Sequence, residues 1–151
     1  MFSMLTPGNG KAQAMNDPVM EFFMHMDPPT ATYQEKKIAV GKNGKPYLYE
    51  PAEVKKARSK LESYLARYRP EVPYDCGVRL ITKWLFPDSA NKYPPGTYRL
   101  SPPDTDNLQK MLKDCMTRCG FWKDDSLVAS EITEKFWNGN ITGIWIRIEV
   151  L

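Results

Sequence analysis

Between residues 19 and 26 apolar and polar positions alternate. Met20, Phe22, Met24 and Met26 share one parity and Glu21 and His25 the other, which predicts a strand that Pro28 and Pro29 stop. Residues 38–40 and 47–49 flank Gly41-Lys42-Asn43-Gly44-Lys45, and the Asn-Gly pair predicts a short hairpin. Pro51 suits a first helical position, and Val54, Ala57, Leu61, Tyr64, Leu65 and Tyr68 then recur at helical spacing until Pro70 and Pro73. Residues 78–86 form another alternating run, with Val78, Leu80, Trp84 and Phe86 on one face. Over 104–119, Leu108, Met111, Leu112, Cys115 and Cys119 fall on one helical stripe, and Gly120 suits its left-handed end. Residues 127–137 and 144–151 read as two strands around Asn138-Gly139-Asn140, which predicts a second hairpin.

The expected order is therefore β-(hairpin)-α-β-α-β-β. It implies an α+β fold, a mixed β-sheet carrying two main helices. Two stretches carry no apolar period. Residues 1–18 read as a flexible N-terminal tail, which leaves 19–151 as the domain. Residues 87–103 hold five prolines and read as a long structureless loop, either a solvated insertion or a functional segment.

At 151 residues the chain suits one domain. It contains no apolar run of the roughly 18 residues a membrane span needs, and residues 1–18 lack the pattern of a secretory signal. Three cysteines without framework spacing fit reduced thiols, so a cytoplasmic protein is expected. Cys115 and Cys119 fall on the apolar stripe and read as core. The single histidine, His25, leaves no multi-histidine metal site and argues against a Ser-His-Asp hydrolase.

Net charge is only +3, but it is divided. Residues 34–69 hold ten basic and four acidic side chains, a net of +6, whereas 104–134 hold four basic and seven acidic, a net of −3. A basic surface beside an acidic cluster is what a metal-dependent nuclease needs, one for the phosphate backbone and one to recruit the ion. The lysines at the base and tip of the first hairpin, Lys36, Lys37, Lys42 and Lys45, are the candidate DNA contacts.

The acidic cluster has two parts. Asp104 and Asp106 open the second helix, with Lys110 one turn beyond Asp106 on its polar side. Aspartates suit helix starts as caps, so this run alone reads as structural. Asp124 and Asp125 then stand together before a strand, where something must offset their repulsion. If the helix start and this turn approach each other, Asp104, Asp106 and Asp125 converge. A few carboxylates completed by water and phosphate oxygens suit a hard divalent cation.

The run Pro103-Asp104-Thr105-Asp106-Asn107-Leu108-Gln109-Lys110, followed by Gly120-Phe121-Trp122-Lys123-Asp124-Asp125, resembles the RusA family of Holliday junction resolvases. These are small magnesium-dependent endonucleases of bacteria and their phages. The family pattern is Asp-x-Asp-Asn-x-x-Lys followed by an Asp-Asp pair, and the likeness extends over about residues 19–151. The resemblance implies a RusA-like fold with Asp104, Asp106 and Asp125 as the metal-binding catalytic carboxylates and Lys110 as the catalytic lysine. Asp124, Asn107 and Lys113 would be accessory. It also implies Mg2+ with Mn2+ as a substitute, a branched-DNA substrate in the form of a four-way junction, no nucleotide cofactor, and a homodimer. The methionine-rich first strand is the first candidate for the dimer interface.

Overall fold

The computed structural model of the chain describes residues 16–32 and 37–151, with only the backbone described at Lys37. Among the described residues seven strands and two helices follow one another: β1 (Val19–Met24), β2 (Lys37–Val40), β3 (Pro46–Tyr49), α1 (Ala52–Leu65), β4 (Val78–Pro87), β5 (Thr97–Tyr98), α2 (Thr105–Cys119), β6 (Val128–Asn138) and β7 (Gly143–Val150). A single 3-10 turn over Asp125–Leu127 leads into β6. This is the expected mixed α+β architecture with two main helices.

The five-stranded sheet has the order β1-β7-β4-β6-β5, and β2-β3 form a separate two-stranded sheet. The second hairpin expected from the sequence is not formed. β6 and β7 lie on opposite sides of β4, which pairs in parallel with β6 and antiparallel with β7. An Asn-Gly signal reports only that the chain turns; it cannot report that a third strand lies in between. Here Asn138 Oδ1 accepts from the Asn140 and Ile141 amides at 2.8 and 2.9 Å. The link to Gly143 then crosses about 10 Å, two strand spacings.

Both helices pack on one face of the sheet. Val78, Leu80, Trp84 and Phe86 of β4, with Ile144, Ile146 and Ile148 of β7, are buried beneath them. So are Phe22, Met24 and Met26, which removes the methionine face of β1 as a dimer interface: it is core. Helix α2 meets the sheet through Leu108, Met111, Leu112, Cys115 and Met116, and meets α1 through sulfur contacts. Cys115 Sγ lies 3.8 Å from the Arg58 carbonyl and Cys119 Sγ 3.7 Å from that of Glu62. Both cysteines thus take the packing role expected of them.

The first fifteen residues of the expected tail lie outside the described residues; its last three are bonded to the domain. The Val150 amide donates to the Pro18 carbonyl at 2.8 Å and the Tyr74 hydroxyl to that of Asp17 at 3.0 Å.

Candidate active site

The segment 88–103 is not a structureless insertion but a strap tied to β6. Thr97 and Tyr98 pair with Trp137 and Phe136. Tyr93 stacks on Trp137 with ring centroids 5.4 Å apart, and Tyr98 stacks on Phe136 at 4.8 Å. Asp88 is buried and accepts from the Tyr93 amide at 2.8 Å. The Arg99 guanidinium lies between the Phe86 and Trp137 rings, 4.3 and 4.5 Å from their centroids. Prolines and aromatics that have no period along the chain therefore find partners across the sheet edge.

The strap delivers Asp104 to the first turn of α2. Lys135 Nζ, reaching from β6, donates to the carbonyls of Ser101 and Pro103 at 2.8 Å each. Arg99 donates to Ser101 Oγ at 3.2 Å and also to the Pro102 carbonyl. Burial and the neighbouring Arg99 charge pull the Lys135 ammonium below the usual lysine range, while Asp104 acts in the opposite direction. Arg99 and Lys135 are the site residues that sequence reasoning missed. They lie outside the motif, and only the fold brings them beside it.

Asp104 occupies the N-cap position in an extended conformation, yet its side chain caps nothing. Capping is the ordinary reason for an aspartate there, and the structure withholds it. Asp104, Asp106 and Lys110 are all exposed, and among the described residues no ion pair engages them. The helix beneath them is anchored by Gln109, whose buried Oε1 accepts from Thr82 Oγ1 at 3.0 Å, while Thr82 accepts from Trp84 Nε1 at 3.0 Å. Lys113 is committed elsewhere, paired with Glu131 of β6 at 3.1 Å.

At the other end of α2 the chain turns at Gly120, left-handed at φ 86°, and enters the Asp124–Asp125 pair. Asp124 accepts from the Ser126 amide at 3.0 Å and caps the 3-10 turn; hydrogen bonding to Ser126 holds its carboxyl below the usual range. That bond offsets the charge of one aspartate of the pair and leaves Asp125, half-buried, as the other.

The convergence of three aspartates within one chain is not found. Among the described residues no three His, Cys, Asp or Glu side chains gather closely enough to hold a metal ion. Helix α2 has 15 residues, about 22 Å at its rise, and it stands between Asp104 and the Asp125 turn. The donor set still fits a hard cation in part. Asp104 and Asp106 supply exposed carboxylate oxygens at a helix start, suited to an ion that keeps water among its ligands.

The basic hairpin β2-β3 projects Lys42 and Lys45 into solvent. Lys36 lies outside the described residues, as does the side chain of Lys37. The hairpin also exposes apolar side chains: Ile38 is 71% accessible, Val40 72% and Leu48 69%.

The fold is thus a strapped mixed sheet that presents two exposed aspartates and a lysine on the first turns of one helix. The chain belongs to the RusA family: the profile described as endodeoxyribonuclease RusA matches residues 28–149. A search of curated proteins finds no match. No helix among the described residues is long and apolar enough to cross a membrane.

Proposed function

We propose that this protein is a magnesium-dependent, structure-selective DNA endonuclease that resolves Holliday junctions by paired phosphodiester hydrolysis. The observation that carries the reading is the pair Asp104–Asp106, uncapped and unpaired at the start of a helix held by a dedicated strap, in a chain of the RusA family. Magnesium, or manganese in its place, would supply activation of water and neutralisation of charge developing on the phosphate.

Asp104, Asp106 and Asp125 are the proposed ligands. Lys110 follows Asp106 by one helical turn and stays exposed, so its ammonium can reach a phosphate oxygen next to the carboxylates. Asn107 lies on the same first turn as an accessory group. Lys42 and Lys45, with Lys36 and Lys37, bring the backbone of branched DNA to the molecule by charge. The protein is read as a homodimer because two strands of a four-way junction are related by a two-fold axis and each must be cut. The exposed apolar hairpin β2-β3 supports a contact between copies, since a two-stranded hairpin is marginally stable alone. Cytoplasmic location in a bacterial cell, and coding by a phage, belong to the same reading.

The test is a nicking assay on a labelled four-way junction, with and without magnesium. Paired nicks that need the ion support the reading. Binding without cleavage in magnesium makes the chain a branched-DNA-binding module, and preferential cutting of flaps or forks makes it a nuclease of different substrate.

A further inference from the structure

Four residues form one row across the sheet: Met24 of β1 pairs with Ile144 of β7, Ile144 with Trp84 of β4, and Trp84 with Lys135 of β6. Lys135 holds the Pro103 carbonyl, so Asp104 leaves the strap beside that end of the row. Met24 is the other end, three strand spacings or about 14 Å away. Just beyond it, His25, Met26 and Asp27 line an open-mouthed cavity of about 440 Å³. Lys60 and Tyr64 of α1 line it too, with residues 140–142 of the link that crosses from β6 to β7. The Thr142 hydroxyl donates to Asp27 Oδ1 at 2.8 Å and closes the link onto the end of β1. The Phe23 ring meets the His25 imidazole edge-on, with centroids 4.5 Å apart. Small-ligand sites run from roughly 300 to 1,000 Å³, so this volume suits one nucleotide rather than a duplex.

We propose that this cavity takes up one unpaired nucleotide of the branched DNA, a few nucleotides from the phosphate that is cut. This rests on the endonuclease reading above and adds the place where that enzyme detects an open base pair. The Lys60 ammonium lies 3.5 Å from the Asp27 carbonyl, and among the described residues no ion pair engages Lys60 or His25. Both are exposed and can donate to a phosphate. Met26, Ile141 and the Tyr64 ring offer apolar surface to a base. The Asn140 side-chain amide and the Asp27 carboxylate can meet its edge. A carboxylate only accepts, so it selects a base with an exocyclic amino group, such as adenine, and repels the O4 of thymine. A base inside a duplex is stacked and paired; at a branch point the cost of extruding it is lower. At the 3.4 Å rise of a stacked strand, 14 Å is about four nucleotides. The cavity thus reads the branch at a fixed distance from Asp104.

His25 is the only histidine of the chain, so in untagged protein its ring protons give one isolated set of NMR signals. Deoxyadenosine monophosphate, thymidine monophosphate and inorganic phosphate are titrated separately, at constant pH, into wild type, Asp27→Asn and Asn140→Ala. The adenine nucleotide should shift the His25 signals and saturate near about 1 mM, with the thymine nucleotide and phosphate roughly tenfold weaker. Asp27→Asn keeps an oxygen for the Thr142 hydroxyl but gains a donor, so it should lose or reverse the preference for adenine. Asn140→Ala keeps the backbone bond to Asn138 and should weaken both nucleotides. On DNA, abasic residues are placed one at a time at successive positions from the branch point of a four-way junction. One position within about four nucleotides should weaken wild-type binding roughly fivefold or more, and the same position should leave Asn140→Ala binding unchanged. No His25 shift with either nucleotide overturns the proposal. So does a phosphate response equal to that of the adenine nucleotide, which makes the cavity an anion contact only, or an abasic scan with no sensitive position. A junction bound but never nicked by wild type in magnesium, with the His25 response intact, overturns the endonuclease reading and keeps the nucleotide site.

Discussion

Lys135 donates to the Pro103 carbonyl at 2.8 Å, one residue before Asp104, and so ties the start of α2 to β6, the strand next to the sheet's edge. A long side chain from β6 thereby fixes the chain next to Asp104, which as a proposed metal ligand would have to be placed to within a fraction of an ångström. Lys135→Met keeps the apolar stem and removes the donor. Junction nicking should fall roughly tenfold or more, because misplacement of a ligand by an ångström costs that much. Junction affinity in EDTA should hold, and the melting temperature should move by only a few degrees. Unchanged nicking would show that the strap holds Asp104 without this lysine.

Asp106→Asn preserves size and removes the ligand charge. Cleavage should fall by at least about a hundredfold while binding to the junction in EDTA survives, because binding rests on the basic surface rather than the carboxylates. Asp104→Asn should behave alike, and it will not destabilise α2 measurably, since its side chain makes no capping bond. Gel-shift and nicking assays on the same preparations separate the two effects. Near-normal magnesium-dependent nicking would remove the residue from the site.

The elements were legible because each carries a local period. The alternation of β4 and β7 and the stripe of α2 are fixed by the faces they bury, and the ends of α2 carry an aspartate and a glycine. The motif residues were legible for the same reason: Asp104, Asp106 and Lys110 lie within two turns of one helix. What depends on pairing between distant segments was not. The Asn138-Gly139 turn looks the same whether its strands pair directly or flank a third, and β4 takes the middle. The strap was hidden because Tyr93, Tyr98 and Arg99 have no period of their own, and their partners are on β6 and β4. The expected meeting of Asp125 with Asp104 failed on helix length, which the sequence contains but spacing in residues conceals.

Replacing Lys36, Lys37, Lys42 and Lys45 together by alanine should weaken binding to every branched substrate by similar factors. For every phosphate no longer neutralised, the slope of log affinity against log salt should become shallower by about 0.9. Circular dichroism should be unchanged, because Lys42 and Lys45 are exposed on a hairpin outside the main sheet. An unaltered affinity and slope would move the DNA path to the exposed lysines of α1, Lys55, Lys56 and Lys60.

Thr82→Val tests the anchor beneath the site. The hydroxyl is the buried partner of both Gln109 and Trp84. Removing it leaves an amide oxygen and an indole N–H unpaired in the core, at a cost of about 2–4 kcal/mol. Gln109 Nε2 already lacks a partner among the described residues, so Thr82→Val with Gln109→Leu should recover part of that loss. Urea midpoints of the single and double variants measure it. A double variant no more stable than Thr82→Val alone would show that the two residues are not coupled.

Cys115 supplies a pH test of the core. Burial pushes its thiol up to about 12, with the Glu62 charge adding to the effect. The folded value lies above the ordinary thiol range, so the buried thiol contributes stability that is fully present below about pH 9. As pH rises toward 12 the unfolded chain loses its thiol proton and the folded chain keeps it. Stability should therefore decline across that window, by up to about 1.4 kcal/mol per pH unit from this group. Cys115→Ala should be less stable than wild type at pH 8 through the cavity it leaves, with a shallower decline between pH 9 and 11. The gap between the two urea midpoints should thus narrow as pH rises. In the native protein at pH 8 a thiol reagent should label the half-buried Cys76 and Cys119 well before Cys115. A constant gap, or prompt labelling of Cys115, would mean that water reaches the contact between α1 and α2.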